Sequence, residues 1–135
     1  MTWAKDIRCM HYLYRMQKPV DEMSRETLRQ FLSFRVNFIQ EELDELKTAT
    51  ESGKPIDAEE TVDALIDICV VAIGTLDLFG VDADKAWKEV LCANLQKEPG
   101  KKEGRDNPLG LPDLKKPKNW TAPDHNGNHG KFGRL

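Results

Sequence analysis

The chain of 135 residues is long enough for one domain with a modest core. Its 39% hydrophobic and 32% charged residues exclude a low-complexity chain, and no apolar run reaches the roughly 20 residues that a bilayer span requires. The formal charge of −3 is uneven, with 12 Lys+Arg against 18 Asp+Glu in residues 1–97 and 8 against 5 in residues 98–135, so the acidic part is unlike a nucleic-acid or membrane binder.

The opening MTWAKDIRCMHYLYRM is charged throughout and shows neither an apolar h-region nor a small-residue cleavage site, so no signal peptide is read. Cys9, Cys69 and Cys92 are odd in number and match no zinc spacing; a reducing, cytoplasmic setting is expected. A first helix is predicted over residues 3–16, ending before a loop at Lys18-Pro19. A second runs from about Ser24, its N-cap, to Thr50. Its apolar positions Leu28, Leu32, Ile39, Leu43 and Leu46 form one buried stripe, which Phe31, Phe34 and Phe38 broaden. Residues 51–56 read as a turn.

Asp57 starts a third helix, with Glu60 completing a capping-box spacing. That helix extends to about Phe79, where Gly80 supplies the left-handed residue after the C-cap. Asp82 then caps a fourth helix over 83–96, with Trp87, Val90 and Leu91 inward. The prediction is an all-α bundle of about four helices with antiparallel neighbours. Composition changes near Glu98: residues 98–135 hold six of nine Gly and five of seven Pro, and only seven apolar residues. The chain therefore divides into a helical domain, 1–97, and an extended tail, 98–135. Such a tail wraps the domain or a neighbouring subunit, or stays mobile. Trp120 is its expected anchor.

Chemistry concentrates on two helices. On the second, Glu41, Glu42 and Glu45 share one side at i,i+3 and i,i+4 spacing, beside the buried stripe. A solvated acidic face is the ordinary reading of that segment. On the third, Asp67 is the one charge between Ala64 and Leu76, far from the cap, where Asp is a poor helix former. Asp63 lies one turn earlier on the same side. Buried carboxylates need a partner. Arg35 is one candidate partner for Asp67; a cation bridging both helices is the better one. Four or five hard oxygen ligands without Cys or His select Mg²⁺, with Mn²⁺ able to substitute. His11 lacks the Glu-x-x-His context of a di-iron site. Because Mg²⁺ usually shares its shell with substrate phosphates, the site points to phosphate chemistry.

With those residues in place, the stretch from Ile39 to Lys97 resembles the all-α nucleoside triphosphate pyrophosphohydrolases. That superfamily includes MazG, the dimeric dUTPases, dCTP pyrophosphatase and phosphoribosyl-ATP pyrophosphohydrolase. Glu41-Glu42-x-x-Glu45 matches its Glu-Glu-x-x-Glu helix, and Asp67 matches the Asp of its following Glu-x-x-Asp. Ala64 stands where that Glu is usual; Asp63 is one position earlier, and Glu60-x-x-Asp63 offers a competing register. The DAL-x-D pattern, the stretch AWKEVLCANLQK (86–97) and the tail PKNWTAPD (117–124) are similar to a phage and bacterial branch labelled phosphoribosyl-ATP pyrophosphohydrolase-like.

The resemblance implies cleavage of a nucleoside triphosphate between its α and β phosphates, giving the monophosphate and pyrophosphate. It implies Glu42, Glu45, Asp63 and Asp67 as Mg²⁺ ligands, and Glu41 as a further ligand or the residue that orients and deprotonates the attacking water. It places Asn94 and Lys97 near sugar and phosphate; Lys97 is otherwise ordinary helix-end chemistry. A third helix that is apolar nearly all round implies burial against a second subunit, hence a homodimer or homotetramer. The rival readings are cleavage of phosphoribosyl-ATP itself and a non-catalytic helical protein whose acidic patch binds a basic partner.

Overall fold

The computed structural model describes residues 2–135. Five α-helices carry most of the chain: α1 (Trp3–Leu13), α2 (Gln17–Asp21), α3 (Arg25–Ala49), α4 (Ala58–Leu78) and α5 (Ala83–Leu95). Two three-residue strands, β1 (Glu98–Gly100) and β2 (Asp113–Lys115), pair antiparallel with Pro99 opposite Leu114. A 3-10 turn, Gly130–Arg134, follows. The chain is all-α apart from that hairpin. No single helix among the described residues is long and apolar enough to cross a membrane.

Local chemistry explains most boundaries. Ser24 Oγ accepts from the Thr27 N–H at 3.2 Å and starts α3; an Asp57 oxygen accepts from the Glu60 N–H at 3.0 Å and starts α4. The reciprocal arm of the capping box is absent, because the Asp57 N–H donates instead to the Ala49 carbonyl at 3.0 Å. That bond ties the start of α4 to the end of α3. Gly80, at φ +76°, closes α4. Its N–H donates to the Asp77 carbonyl and that of Val81 to Leu76, both at 2.9 Å, the paired bonds of a Schellman motif.

Two boundaries differ from the sequence reading. The first helix stops at Leu13, three residues early, because the same paired bonds form with Arg15 in the left-handed position at φ +54°. Glycine usually marks that position, and none stands here. The expected loop at Lys18-Pro19 is a short helix, α2. Pro19 sits in its first turn, where a missing N–H loses no intrahelical bond. Among the described residues the α-helices therefore number five rather than about four.

Two compact units partition the chain: residues up to Ala83 together with His129–Leu135, and Asp84–Asn128. The compositional break at Glu98 lies inside the second. In the first unit α4 packs against α3 and α1. Its core joins Val20, Leu28, Leu78 and Phe79, with Phe31 and Phe132 packed on it. Phe79 is sandwiched between parallel rings, Phe132 at 4.5 Å and Phe31 at 5.9 Å between centroids. The 129–135 segment is thus part of this unit: the Lys131 N–H donates to the Phe79 carbonyl at 2.6 Å, and Lys131 Nζ pairs with Asp21 at 2.7 Å. The bond from Lys131, followed by one from Gln17, holds the Asp21 carboxyl below its usual value.

In the second unit Trp120 Nε1 donates to the Ala93 carbonyl on α5 at 2.7 Å, while Lys116 and Lys97 lie over its ring at 4.5 and 5.6 Å. Trp120 therefore fastens the post-helical segment. Trp87 and Leu91, expected inward, are 64% and 39% exposed; the side of α5 that is covered is that of Ala93, beneath the Trp120 contact.

Candidate functional site

α3 and α4 run antiparallel, and three rungs fix their alignment. Near the connecting turn Asp57 bonds Ala49. At the far end Arg35 Nε donates to Thr75 Oγ1 at 3.0 Å and its Nη2 to the Val71 carbonyl at 3.1 Å. Between these rungs lie Glu41, Glu42 and Glu45 from α3 and Asp63 and Asp67 from α4. Glu42 and Asp67 are half-buried; Glu41, Glu45 and Asp63 are exposed.

The five carboxylates share one electrostatic neighbourhood, centred on Glu42. Burial is the main force pushing its carboxyl above the usual glutamate value, and the negative charges of Glu45, Asp67, Glu41 and Asp63 add to it in that order. Its Oε2 is shut off from solvent and accepts no hydrogen bond. A buried acceptor without a partner costs roughly 1–3 kcal/mol. It is therefore a strong local demand for something positive.

The donor set suits a hard divalent cation: five carboxylates on two helices, with neither His nor Cys among them. Among the described residues no three acidic, His or Cys side chains converge tightly enough to enclose an ion by themselves.

Pairing of Asp67 with Arg35 is not what the structure shows. Arg35 is buried, 8% exposed, and its guanidinium is committed to Thr75 and Val71, with the Phe38 ring 5.9 Å away. Burial lowers its pKa from that of a solvated guanidinium. Nor does Asp67 sit deep in a covered helix. Val62, Leu65 and Ile66 around it are 63%, 48% and 44% exposed, so the apolar surface of this end of α4 is open in the single chain.

A second polar cluster escaped the sequence reading. Asp77, in the last turn of α4, accepts from Arg8 Nε at 2.8 Å and from His11 Nδ1 at 2.7 Å. His11 and Asp77 side chains are 3% and 5% exposed. An ionised carboxylate only accepts, so the imidazole proton at this contact sits on Nδ1. The group forms one wall of a cleft of about 460 Å³, which Tyr12, Gln17 and Val81 also line. The available signal was the position of Asp77: an acidic side chain beside the negative end of a helix dipole needs a specific partner.

In the second unit Asn94 is exposed and Lys97 half-buried, with the Lys97 N–H donating to the Asn94 carbonyl at 3.1 Å.

No curated protein matches the chain. The family model for phosphoribosyl-ATP pyrophosphohydrolase matches residues 11–94, a span that includes all five clustered carboxylates, His11, Arg35, Asp77 and Asn94. The match covers well over half of the 135 residues: the chain belongs to the phosphoribosyl-ATP pyrophosphohydrolase family, and pyrophosphohydrolase-type chemistry is its function class.

Proposed function

We propose that this protein is a Mg²⁺-dependent nucleoside triphosphate pyrophosphohydrolase that cleaves a ribo- or deoxyribonucleotide between the α and β phosphates. One observation carries the reading: the partnerless buried oxygen of Glu42, set among the carboxylates of Glu41, Glu45, Asp63 and Asp67. Such a concentration of negative charge repels a polyphosphate unless cations accompany it. In this reading Glu42, Glu45, Asp63 and Asp67 hold Mg²⁺. When bound, Mg²⁺ offsets the charge of the phosphates and of the reacting oxygens.

The remaining roles fall to the chain's own groups. Glu41, exposed beside the cluster, orients the attacking water and accepts its proton. Asn94 and Lys97 are the proposed contacts for sugar and phosphate. A homodimer or homotetramer completes the site: a second copy covering Val62, Leu65 and Ile66 would exclude water around Asp63 and Asp67 and strengthen every electrostatic contact there.

A second reading, hydrolysis of phosphoribosyl-ATP, is favoured by the name of the matching family. One assay separates the two: pyrophosphate release from a panel of NTPs, dNTPs and phosphoribosyl-ATP, with and without Mg²⁺, with Glu42→Gln as control. Mg²⁺-dependent release from one or a few nucleotides, lost in the control, is the expected result. Release from phosphoribosyl-ATP alone would establish the second reading. Silence across the panel with folded protein would refute both.

A further inference from the structure

Arg35 and Glu42 lie seven residues apart on α3, two turns along one face, about 10 Å. Opposite them on α4, Val71 and Thr75 stand one and two turns beyond Asp67. The alignment that lets Arg35 reach both acceptors is the one that sets Glu42 against Asp67 and Asp63. We propose that Arg35 is a positioning residue: its fork onto Thr75 and Val71 locks the sliding register of α3 against α4, and so holds the two halves of the carboxylate cluster together. This inference rests on the metal-binding reading above.

Two features argue that the contact is more than core filling. First, neither acceptor needs Arg35. Thr75 Oγ1 donates to the Val71 carbonyl at 2.7 Å by itself, so removing the guanidinium strands no buried group on α4. A buried cation used only as packing is replaceable by an apolar chain of similar size at little loss. Second, α4 is hollowed to admit it. At Gly74 a Cβ would stand 2.9 Å from Arg35 Nη2 and 3.3 Å from the His11 ring. A glycine in the middle of a helix costs about 1 kcal/mol against alanine, so the hollow is kept against propensity.

The sign of the effect separates positioning from charge. Deleting a positive charge about 10 Å from a cation site strengthens cation binding if charge is all that Arg35 contributes. Loss of register weakens it. The test is Mn²⁺ titration of the full-length protein by electron paramagnetic resonance of the free ion, with circular dichroism and Tm measured alongside. For Arg35→Met the Mn²⁺ dissociation constant is expected to rise about tenfold or more, with helical content unchanged. Arg35→Lys, which keeps the charge and loses the fork, is expected to recover only part of the affinity. Gly74→Ala, which presses on the tip of Arg35 and, less closely, on the His11 ring, leaves Arg35 itself in place as a second variant and is expected to weaken binding less. Unchanged or tighter binding in Arg35→Met and Gly74→Ala would overturn this inference alone. No Mn²⁺ binding by the unaltered protein would overturn the metal reading and this inference with it.

Discussion

Asp77 offers the sharpest test of how the first unit is held together. Its carboxylate has two arms of very different surroundings. Arg8 is 62% exposed on its side chain, whereas His11 is 3% exposed. The Arg8 arm reaches the buried carboxylate from a largely solvated guanidinium, whose screening leaves the pair worth about 1 kcal/mol or less. The His11 arm is a charge-assisted bond in a dry setting, worth about 1.5–3 kcal/mol, and its loss leaves a buried N–H without an acceptor. Asp77→Ala is therefore expected to destabilise by about 3 kcal/mol, and Arg8→Ala by less than about 1 kcal/mol. For a chain of this length that is a fall in Tm on the order of 10 °C for Asp77→Ala and a few degrees at most for Arg8→Ala. Urea unfolding followed by helical circular dichroism, at one fixed protein concentration, gives both values. Equal losses in the two variants would refute the claim that the buried arm carries the stability. A loss under about 0.5 kcal/mol for Asp77→Ala would refute the pair's role altogether.

Three further outcomes are expected. In Gly130→Ala a Cβ would overlap the Phe79 carbonyl oxygen and stand 2.8 Å from the Gly80 carbonyl carbon, at a backbone φ of +51°. The Gly130–Arg134 turn should release, read as faster exchange of the Lys131 amide while α3 amides stay protected; an unchanged Lys131 amide would contradict this. Arg15→Gly relieves a left-handed non-glycine residue at φ +54° and should raise stability by about 1 kcal/mol; a lower Tm would mean that the Arg15 side chain has a role of its own. Because the folded-state pKa of Glu42 is raised, its ionisation opposes folding above that pKa, and the opposition fades as pH falls toward the ordinary 4.5. In metal-free protein Glu42→Gln should therefore exceed the unaltered chain in Tm most at neutral pH, with the gap closing in acid. A gap independent of pH would show that the carboxylate charge is not the cause.

What was legible in the sequence was what short-range chemistry decides. Ser24, Asp57 and Gly80 each act on groups within five residues, and the spacing of Glu41, Glu42 and Glu45 places three carboxylates on one side of any helix. The boundary at Arg15 was hidden because its left-handed turn uses an arginine where glycine is the usual sign. Pro19 misled because a proline that breaks a helix interior is harmless in a first turn. The Arg8–His11–Asp77 cluster joins positions 66 and 69 residues apart in sequence, so no local pattern contains it. The same holds for Phe132, which reaches Phe79 only because the chain returns after Asn128. Asp67 stands out in the sequence as the anomaly of an otherwise apolar helix, and the structure sets it in the electrostatic neighbourhood of Glu42. Its neighbours Leu65 and Ile66 are open rather than buried, because a single chain supplies no surface to cover them.

The α3–α4 pair sets stability against function. Its ends are tied by favourable contacts, Asp57 to Ala49 at one and Arg35 to Thr75 and Val71 at the other. Its middle carries five carboxylates, one with a buried oxygen that nothing satisfies. Like charges held this close push the helices apart, so the ties at the ends must outweigh the repulsion between them. A protein under selection for stability alone would replace Glu42 by Gln or Leu and gain from it. Keeping the charge makes sense if a cation relieves it during the working cycle. The apo protein would then be the strained member of the pair, and divalent binding would return as folding stability by mass action. A Tm that rises with Mg²⁺ in the unaltered chain and not in Glu42→Gln would show that the repulsion and the site are one feature. A rise of equal size in both would place the ion elsewhere.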